Sequence, residues 1–396
     1  MTKIVAISDP HLGQNGVDGL GQYSLLSTRV PQNLVRQFIK SVTAFASGEP
    51  ITLLVVGDFL DLSLTYAEDA LADLSALLGA FVDMTPIEEI IAVIGNHDHH
   101  LWSLHSEDKR ILVPLREGRV PTHGASSRRK AAYQVTPPEG APFGLLQPLV
   151  DQIFGSGAPR ITIAYPSYQR ALAGSDALLY VTHGHLFGGL YTEVSSLLEN
   201  KLAGLPFAQV AATVNQPLIE FIYWLLGETG EGIGADGLVE AIYTDVQKGT
   251  ISRVRGLVSR LVAQLLPHGV LWRVLGRWER KIVVDAVMAE LGKVLFAPST
   301  PANASADRFA DLETTRAGLR AWLGSIGWPT QQPTIVLYGH THVWDDYAIP
   351  DAAVHSHNLS TWLVEPNHPP PRTGFLAIDG ADARWVDVTP IGAVTS

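Results

Sequence analysis

Five short, unbroken apolar runs each stop at Gly, Asp, Asn or His. They are KIVAIS before Asp9, ITLLVV before Gly57, EIIAVI before Gly95, ALLYVT before His183 and TIVLY before Gly339. A strand with water on one face alternates apolar and polar side chains, whereas a strand covered on both faces stays apolar throughout. These runs therefore predict buried strands in a layered α/β protein. Between the first three lie VPQNLVRQFIKSVTAFA and AEDALADLSALLGAFVD, whose apolar residues recur every three or four positions, the spacing of a helix with one buried face. The natural reading is repeated β-α-β units. In open sheets of this kind ligands bind beyond the carboxyl ends of the strands, where the polar loops gather.

Composition narrows the function classes. The 396 residues are 46% hydrophobic and 17% charged, enough to bury a large core and without the signature of global disorder. A net charge of −11 opposes a general nucleic-acid-coating role, because nonspecific phosphate binding needs a basic surface. There are no cysteines, which excludes disulfides and thiolate metal sites and leaves His, Asp, Glu and Asn to hold any transition metal. The opening MTKIVAISDPHLG reaches polar residues by Ser8, too soon for a secretory h-region. LIEFIYWLL at 218–226 falls far short of the ~20 residues a spanning helix requires. A cytoplasmic protein without a transmembrane segment is expected.

Residues 115–160, with RRK, TPPEG and GSGAPR, read as an irregular excursion rich in turn formers. From about 189 to 330 long helical patterns replace strand signals, predicting a helical insertion or cap between two core strands. After Pro333 the strand signals return in TIVLYGHTH, AVHSHNLSTWLV, GFLAID and ARWVDV. The expected organisation is a core begun over 1–188, a helical insertion over 189–330 and the C-terminal core strands over 331–396.

The strand ends carry the chemistry: Asp9 and His11 in SDPHLG, Asp58 and Asp61 in GDFLD, Asn96, His97 and Asp98 in GNHD, His183 and His185 in THGH, His340 and His342 in GHTH. Asp, His and Asn bind divalent cations through oxygen and imidazole nitrogen, and alternate residues of an extended D-x-H or H-x-H segment point the same way. Each block alone reads equally well as turn chemistry. Together, five loops supply enough ligands for two metals.

In this order the blocks resemble the signature of the calcineurin-like metallophosphoesterase superfamily: DxH, GDxxD, GNHD, HG or GH, and GHxH. The resemblance spans residues 1 to about 110, 178–188 and 333–390, and NLSTW at 358–362 is similar to the Asn-containing strand that follows GHTH there. It implies a four-layer α-β-β-α sandwich, here with a mostly helical insertion. It also implies a binuclear centre in which Asp9, His11 and His342 hold one divalent or trivalent transition-metal ion (Mn, Fe or Zn), Asn96, His183 and His340 hold the other, and Asp58 bridges both. The implied reaction is hydrolysis of a phosphomonoester, phosphodiester or pyrophosphate in a small phosphorylated substrate by a metal-bridging hydroxide. His97 then protonates the leaving group while Asp98 holds its ring. Asp61 is expected to accept a hydrogen bond from a ligating imidazole, or else to cap an exposed turn. His99 and His100 are expected on an exposed loop, with a place lining the substrate entrance left open; His185 is expected to supplement or orient His183; His355 and His357 are expected on the surface of a strand rather than facing the site.

Residues 248–293 carry nine Lys and Arg against three acids, with Arg273, Arg277 and Lys281 spaced i,i+4. That spacing repels unless an anion or acid relieves it. The stretch reads first as the solvated basic face of a cap, with an anionic membrane surface contacted through 251–293, or dimerisation, left open. Two other functions also stay open: a noncatalytic metal-binding interaction scaffold, and a peripheral hydrolase acting on phospholipids or nucleotide-linked lipids at a lipid surface. The presence of His97 and all seven ligand candidates favours the enzyme.

Overall fold

Side chains alternate across each buried strand, and here both sets are apolar. In β1 (Lys3–Ile7), β3 (Ile51–Val56) and β4 (Ile87–Val93), Val5, Ile7, Leu53, Val55, Ile90 and Ala92 face one core. Ile4, Ala6, Leu54, Val56, Ile91 and Val93 face another. That double burial is what the continuous apolar runs encode. The structure is a computed structural model that describes residues 3–16, 22–82, 84–120, 140–187, 216, 219–220, 285, 312–365 and 369–388.

The remaining strands are β2 (Tyr23–Ser24), β5 (Ala141–Pro142), β6 (Arg160–Ala164), β7 (Ser167–Ala171), β8 (Leu178–Thr182), β9 (Thr334–Tyr338), β10 (Trp344–Ala348), β11 (Val354–Leu359), β12 (Leu363–Val364), β13 (Gly374–Asp379) and β14 (Asp382–Asp387). One sheet has the order β14-β13-β1-β3-β4-β6-β5 and the second β10-β11-β9-β8-β7; β12 pairs with β2. β1, β3, β4 and β6 run parallel to one another, as do β8, β9 and β11. Their carboxyl ends therefore gather along one margin of each sheet.

Among the described residues the α-helices are α1 (Asn33–Ala46), α2 (Ala67–Gly79), α3 (His99–Glu107), α4 (Val113–Arg116), α5 (Gln147–Phe154) and α6 (Leu312–Ser325). α1, α2, α3 and α5 cover the outer face of the first sheet through Phe38, Val42, Leu74, Leu78, Trp102 and Val150. The two sheets pack on each other through the inner set of β1, β3 and β4 against Leu179, Val181, Ile335, Leu337 and Leu359. α6 covers the outer face of the second sheet with Leu319, Trp322 and Leu323 against Tyr180, Val336 and Tyr338. The Trp322 indole N–H donates to the Tyr180 hydroxyl at 2.7 Å. The order of layers is helix, sheet, sheet, helix, the expected sandwich.

Of the stretch expected to be irregular at 115–160, residues 121–139, with RRK and most of TPPEG, lie outside the described residues; the rest holds the end of α4, β5 and α5 and ends where β6 begins at Arg160. The RITIA of β6 is short, and its alternate set Ile161 and Ile163 joins the core under α5. Of the predicted helical insertion over 189–330, only Gln216, Ile219, Glu220, Asp285 and the residues from Leu312 onward are described, so the basic stretch 251–293 lies outside the described residues apart from Asp285. Among the described residues no helix is long and apolar enough to cross a membrane.

Candidate metal centre

The loops that leave β1, β3 and β9 depart from regular backbone at the residues that carry the chemistry. Asp9, His11, Asp58, His340 and His342 have φ of 49°, 43°, 44°, 71° and 58°, the left-handed region that costs a residue with a Cβ about 1–2 kcal/mol. Cross-loop hydrogen bonds hold that geometry. The His11 N–H donates to the Asp58 carbonyl at 2.9 Å and the Trp362 N–H to the Asp9 carbonyl at 3.1 Å. The Thr361 hydroxyl also donates to the Asp9 carbonyl at 2.9 Å, and Asn358 Nδ2 donates to Thr341 at 2.6 Å. NLSTW thus braces both the DxH and the GHTH loops.

Three glycines make the approach of these loops sterically allowed. A Cβ at Gly57 would overlap the His183 ring, one at Gly95 the Asp58 carboxylate, and one at Gly339 the Ser8 hydroxyl and Asp9 carboxylate. Each belongs to a motif whose next residue is a candidate ligand.

All seven candidate ligands converge from both sheets. Asp58 Oδ2 lies 3.1 Å from His183 Nε2 and 3.7 Å from His11 Nε2. Asp9 Oδ1 lies 3.4 Å from His342 Nε2 and 4.0 Å from His183 Nε2. His11 and His342 bring their Nε2 atoms within 3.4 Å, and His183 Nε2 is 3.1 Å from Asn96 Oδ1. The groups Asp9–His11–His342, Asp58–His183–His340 and His11–Asp58–His97 each bring one ligand atom per residue within 4.8 Å of one another.

The imidazoles are oriented as ligands are. His11 Nδ1 meets Asp61 at 2.9 Å, His183 Nδ1 the Val56 carbonyl at 3.1 Å and His342 Nδ1 Glu365 at 3.3 Å. An acceptor at Nδ1 places the proton there and leaves the Nε2 lone pair for the centre. This nitrogen and oxygen donor set fits transition-metal cations. Burial by itself would raise the Asp9 and Asp58 carboxyls, yet the neighbouring imidazoles, His183 foremost, hold Asp9 below and Asp58 well below the usual carboxylate range. Burial opposes charge on His183, but Asp58 and Asp9 outweigh it and lift its pKa to about 9. His340 goes the other way, to about 3, because burial and the His183 charge both disfavour its protonation.

His97 and its neighbours differ from the expected arrangement in one respect. The ring's Nδ1 lies 2.6 Å from the Ser63 hydroxyl and 3.2 Å from Asp61 Oδ2. Asp98, expected to hold that ring, instead accepts the Gly95 N–H and the Phe59 N–H, both at 2.7 Å. It follows His97 directly and turns back toward the backbone, locking the GNHD loop to the GDFLD loop. Burial and the Asp58 charge push its pKa up to about 7. Asp61, fully buried, accepts from His11, Gln14, Ser63 and the Leu64 N–H as well, so it caps its own turn from the interior and orients an imidazole at once, rather than capping an exposed turn. Against the penalty of burial, the Asp61 and Asp58 charges lift His97 to about 9.

His99 and His100 begin α3 instead of lying on an exposed loop, and His99 is 1% exposed. Glu220 joins them: it contacts His99 Nδ1, takes His100 Nδ1 at 3.0 Å and accepts the Ser103 hydroxyl at 2.7 Å. A recess beside His97 is lined by Leu62, Asn96, His99, His100, Ile219 and Glu220. His185 is buried behind the candidate ligands, its ring 5.3 Å from that of His183 and stacked on Tyr165. His357 is buried rather than on the surface, while His355 is half exposed. Ser63, Glu220 and Glu365 escaped the sequence reading. Ser63 had a local signal, two residues after Asp61; Glu220 and Glu365 had none, because their partners are distant in sequence.

The family model described as calcineurin-like phosphoesterase matches residues 2–156. No curated protein matches the sequence. Among the matching solved structures is a phosphopantetheinyl hydrolase from Mycobacterium tuberculosis, 14% identical, covering 93% of this chain and 98% of that chain at a TM-score of 0.29.

Proposed function

We propose that this chain, which carries the calcineurin-like phosphoesterase family over residues 2–156, is a phosphoesterase that uses two metal cations to hydrolyse a small phosphorylated substrate. The position of Asp58 carries the reading. One of its oxygens faces His183 at 3.1 Å on one side and His11 at 3.7 Å on the other, as a carboxylate shared by two cations must. On this reading Asp9, His11 and His342 hold one cation, Asn96, His183 and His340 the other, and Asp58 both. Bound there, divalent cations supply Lewis acidity toward phosphoryl oxygens and lower the pKa of water.

The chain's own contribution is orientation and proton delivery. Asp61, the Val56 carbonyl and Glu365 fix three imidazoles so that their Nε2 atoms turn inward. In the metal-free centre Asp61 and Asp58 lift His97 to about 9, which favours a protonated ring at neutral pH. With Nδ1 engaged by Ser63 and Asp61, Nε2 is the atom that would hand a proton to the leaving oxygen. Asp98 supports this indirectly, by holding the backbone on either side of the shared Asp58 loop.

The test is hydrolysis of p-nitrophenyl phosphate and bis-p-nitrophenyl phosphate by Mn²⁺-loaded protein. His97→Ala is expected to lower kcat about 10²–10⁴-fold while the metal content per chain stays that of the wild type. An unchanged rate would remove His97 as donor; undiminished hydrolysis by Asp58→Ala would remove the reading itself.

A further inference from the structure

A second group of metal-ligand type lies on the edge of the five-stranded sheet. His355 and His357 alternate on β11 and so share a face. Asp346, on the antiparallel edge strand β10, sits directly opposite His357 in the register. One ligand atom from each of the three lies within 4.8 Å of the others. The imidazole rings are stacked, with centroids 4.7 Å apart and planes 8° from parallel.

His355 Nε2 contacts Asp346 Oδ1, and His357 Nδ1 lies 3.9 Å from that same oxygen. The second separation is too long for a hydrogen bond. Two ligands each about 2.1 Å from one ion stand about 3.4 Å apart at a tetrahedral angle, so a small side-chain adjustment brings the pair to coordination distance. His357 is 5% exposed, and its Nδ1 is buried without a hydrogen-bond partner, a condition that costs about 1–3 kcal/mol if nothing relieves it. Asp346 and His355, by contrast, are half exposed, which gives an ion a path in and water access to its remaining positions. Arg372 feels the Asp346 carboxylate. It is committed to Asp387 by two hydrogen bonds of 2.8 and 3.0 Å.

We propose that Asp346, His355 and His357 form a separate site for one divalent transition cation of the Zn²⁺, Ni²⁺ or Cu²⁺ class, bound by two imidazole nitrogens and one carboxylate oxygen. Such a cation ties edge strand β10 to β11 and satisfies the buried His357 nitrogen. The site stands apart from the catalytic reading and does not depend on it.

The experiment loads the full-length protein with Zn²⁺, removes free metal by dialysis and measures metal per chain by mass spectrometry. Wild type is expected to retain one cation per chain more than Asp346→Asn, and one more than His355→Ala. Both positions are half exposed, so neither change opens the core, and hydrolysis of p-nitrophenyl phosphate by both variants is expected to match wild type. Equal metal content in wild type and the two variants overturns the proposal. Adding Asp346→Asn to a His183→Ala/His340→Ala background separates the two sites: one further cation lost on that background supports the edge site whatever the fate of the buried centre, and no further loss overturns it.

Discussion

Two groups of Asp and His side chains, alike in composition, are built in opposite ways. In the buried centre five of the candidate ligands sit in left-handed backbone. Glycines clear space for the carboxylates and the His183 ring, and a carboxylate or carbonyl fixes the Nδ1 of three imidazoles. At the sheet edge Asp346, His355 and His357 lie on regular strands. Their proximity follows from alternation and register alone. The centre therefore spends stability on preorganisation, and that pattern of local strain maintained by surrounding structure is characteristic of functional sites. The edge group needs no such support, and its Asp346 and His355 stay half exposed.

Asp58→Ala makes the largest break in this contrast. It removes the carboxylate between both halves of the centre, and hydrolysis is expected to fall about 10⁴-fold or more, with metal content measured alongside the rate. His97→Ala follows at about 10²–10⁴-fold in kcat. Asp61→Asn keeps the shape but removes the charge that orients His11 and His97. A loss of about 10–100-fold in metal affinity or activity is expected, read by Mn²⁺ titration of the rate. His355→Ala with His357→Ala should leave the rate within about twofold, and a larger loss would mean that the two regions are coupled.

The pH response separates the metal-free centre from the loaded one. His97, His183 and His342 have folded pKa values of about 9, 9 and 10, raised from 6.5 by neighbouring carboxylates against the cost of burial. A raised folded pKa stabilises the protonated state, so this contribution is complete below about pH 6.5 and is lost as pH rises to 9–10. Chelator-treated protein is therefore expected to lose thermal stability across that window. Metal-loaded protein should lose less, because ligation already requires His183 and His342 to be neutral, with Nε2 unprotonated. A Tm that stays flat from pH 6.5 to 10 in the chelated protein would contradict the assignment. In the active protein the alkaline limb of kcat/KM is expected at or below pH 9, since bound cations disfavour the His97 imidazolium, and it should vanish in His97→Asn.

Much of the arrangement was legible because it is written in local order. ITLLVV followed by GD, or TIVLY followed by GH, states both that a strand is buried on two faces and that its end carries a candidate ligand. β6 and β10 were not legible. RITIA follows a turn-rich stretch and is only five residues long, and WDDYA carries too many charges to look like a strand until β11 supplies its partner. The partner of His97 was also misread. Asp98 is adjacent in sequence, but its carboxylate is claimed by two backbone N–H groups, leaving Asp61 from another loop to face the ring.

The residue order alone determined the layered fold and the identity of the loops that carry the chemistry, because hydrophobic periodicity and short motifs are local properties. Which side chains meet, whether a few tens of residues apart or, as with His11 and His342, more than three hundred, was decided by strand pairing, loop approach and the packing of two sheets. That is why Asp61 rather than Asp98 holds His97, why Glu365 reaches His342, and why Asp346 stands opposite His357. Such pairings depend on strand register and loop approach, which no single stretch of sequence contains.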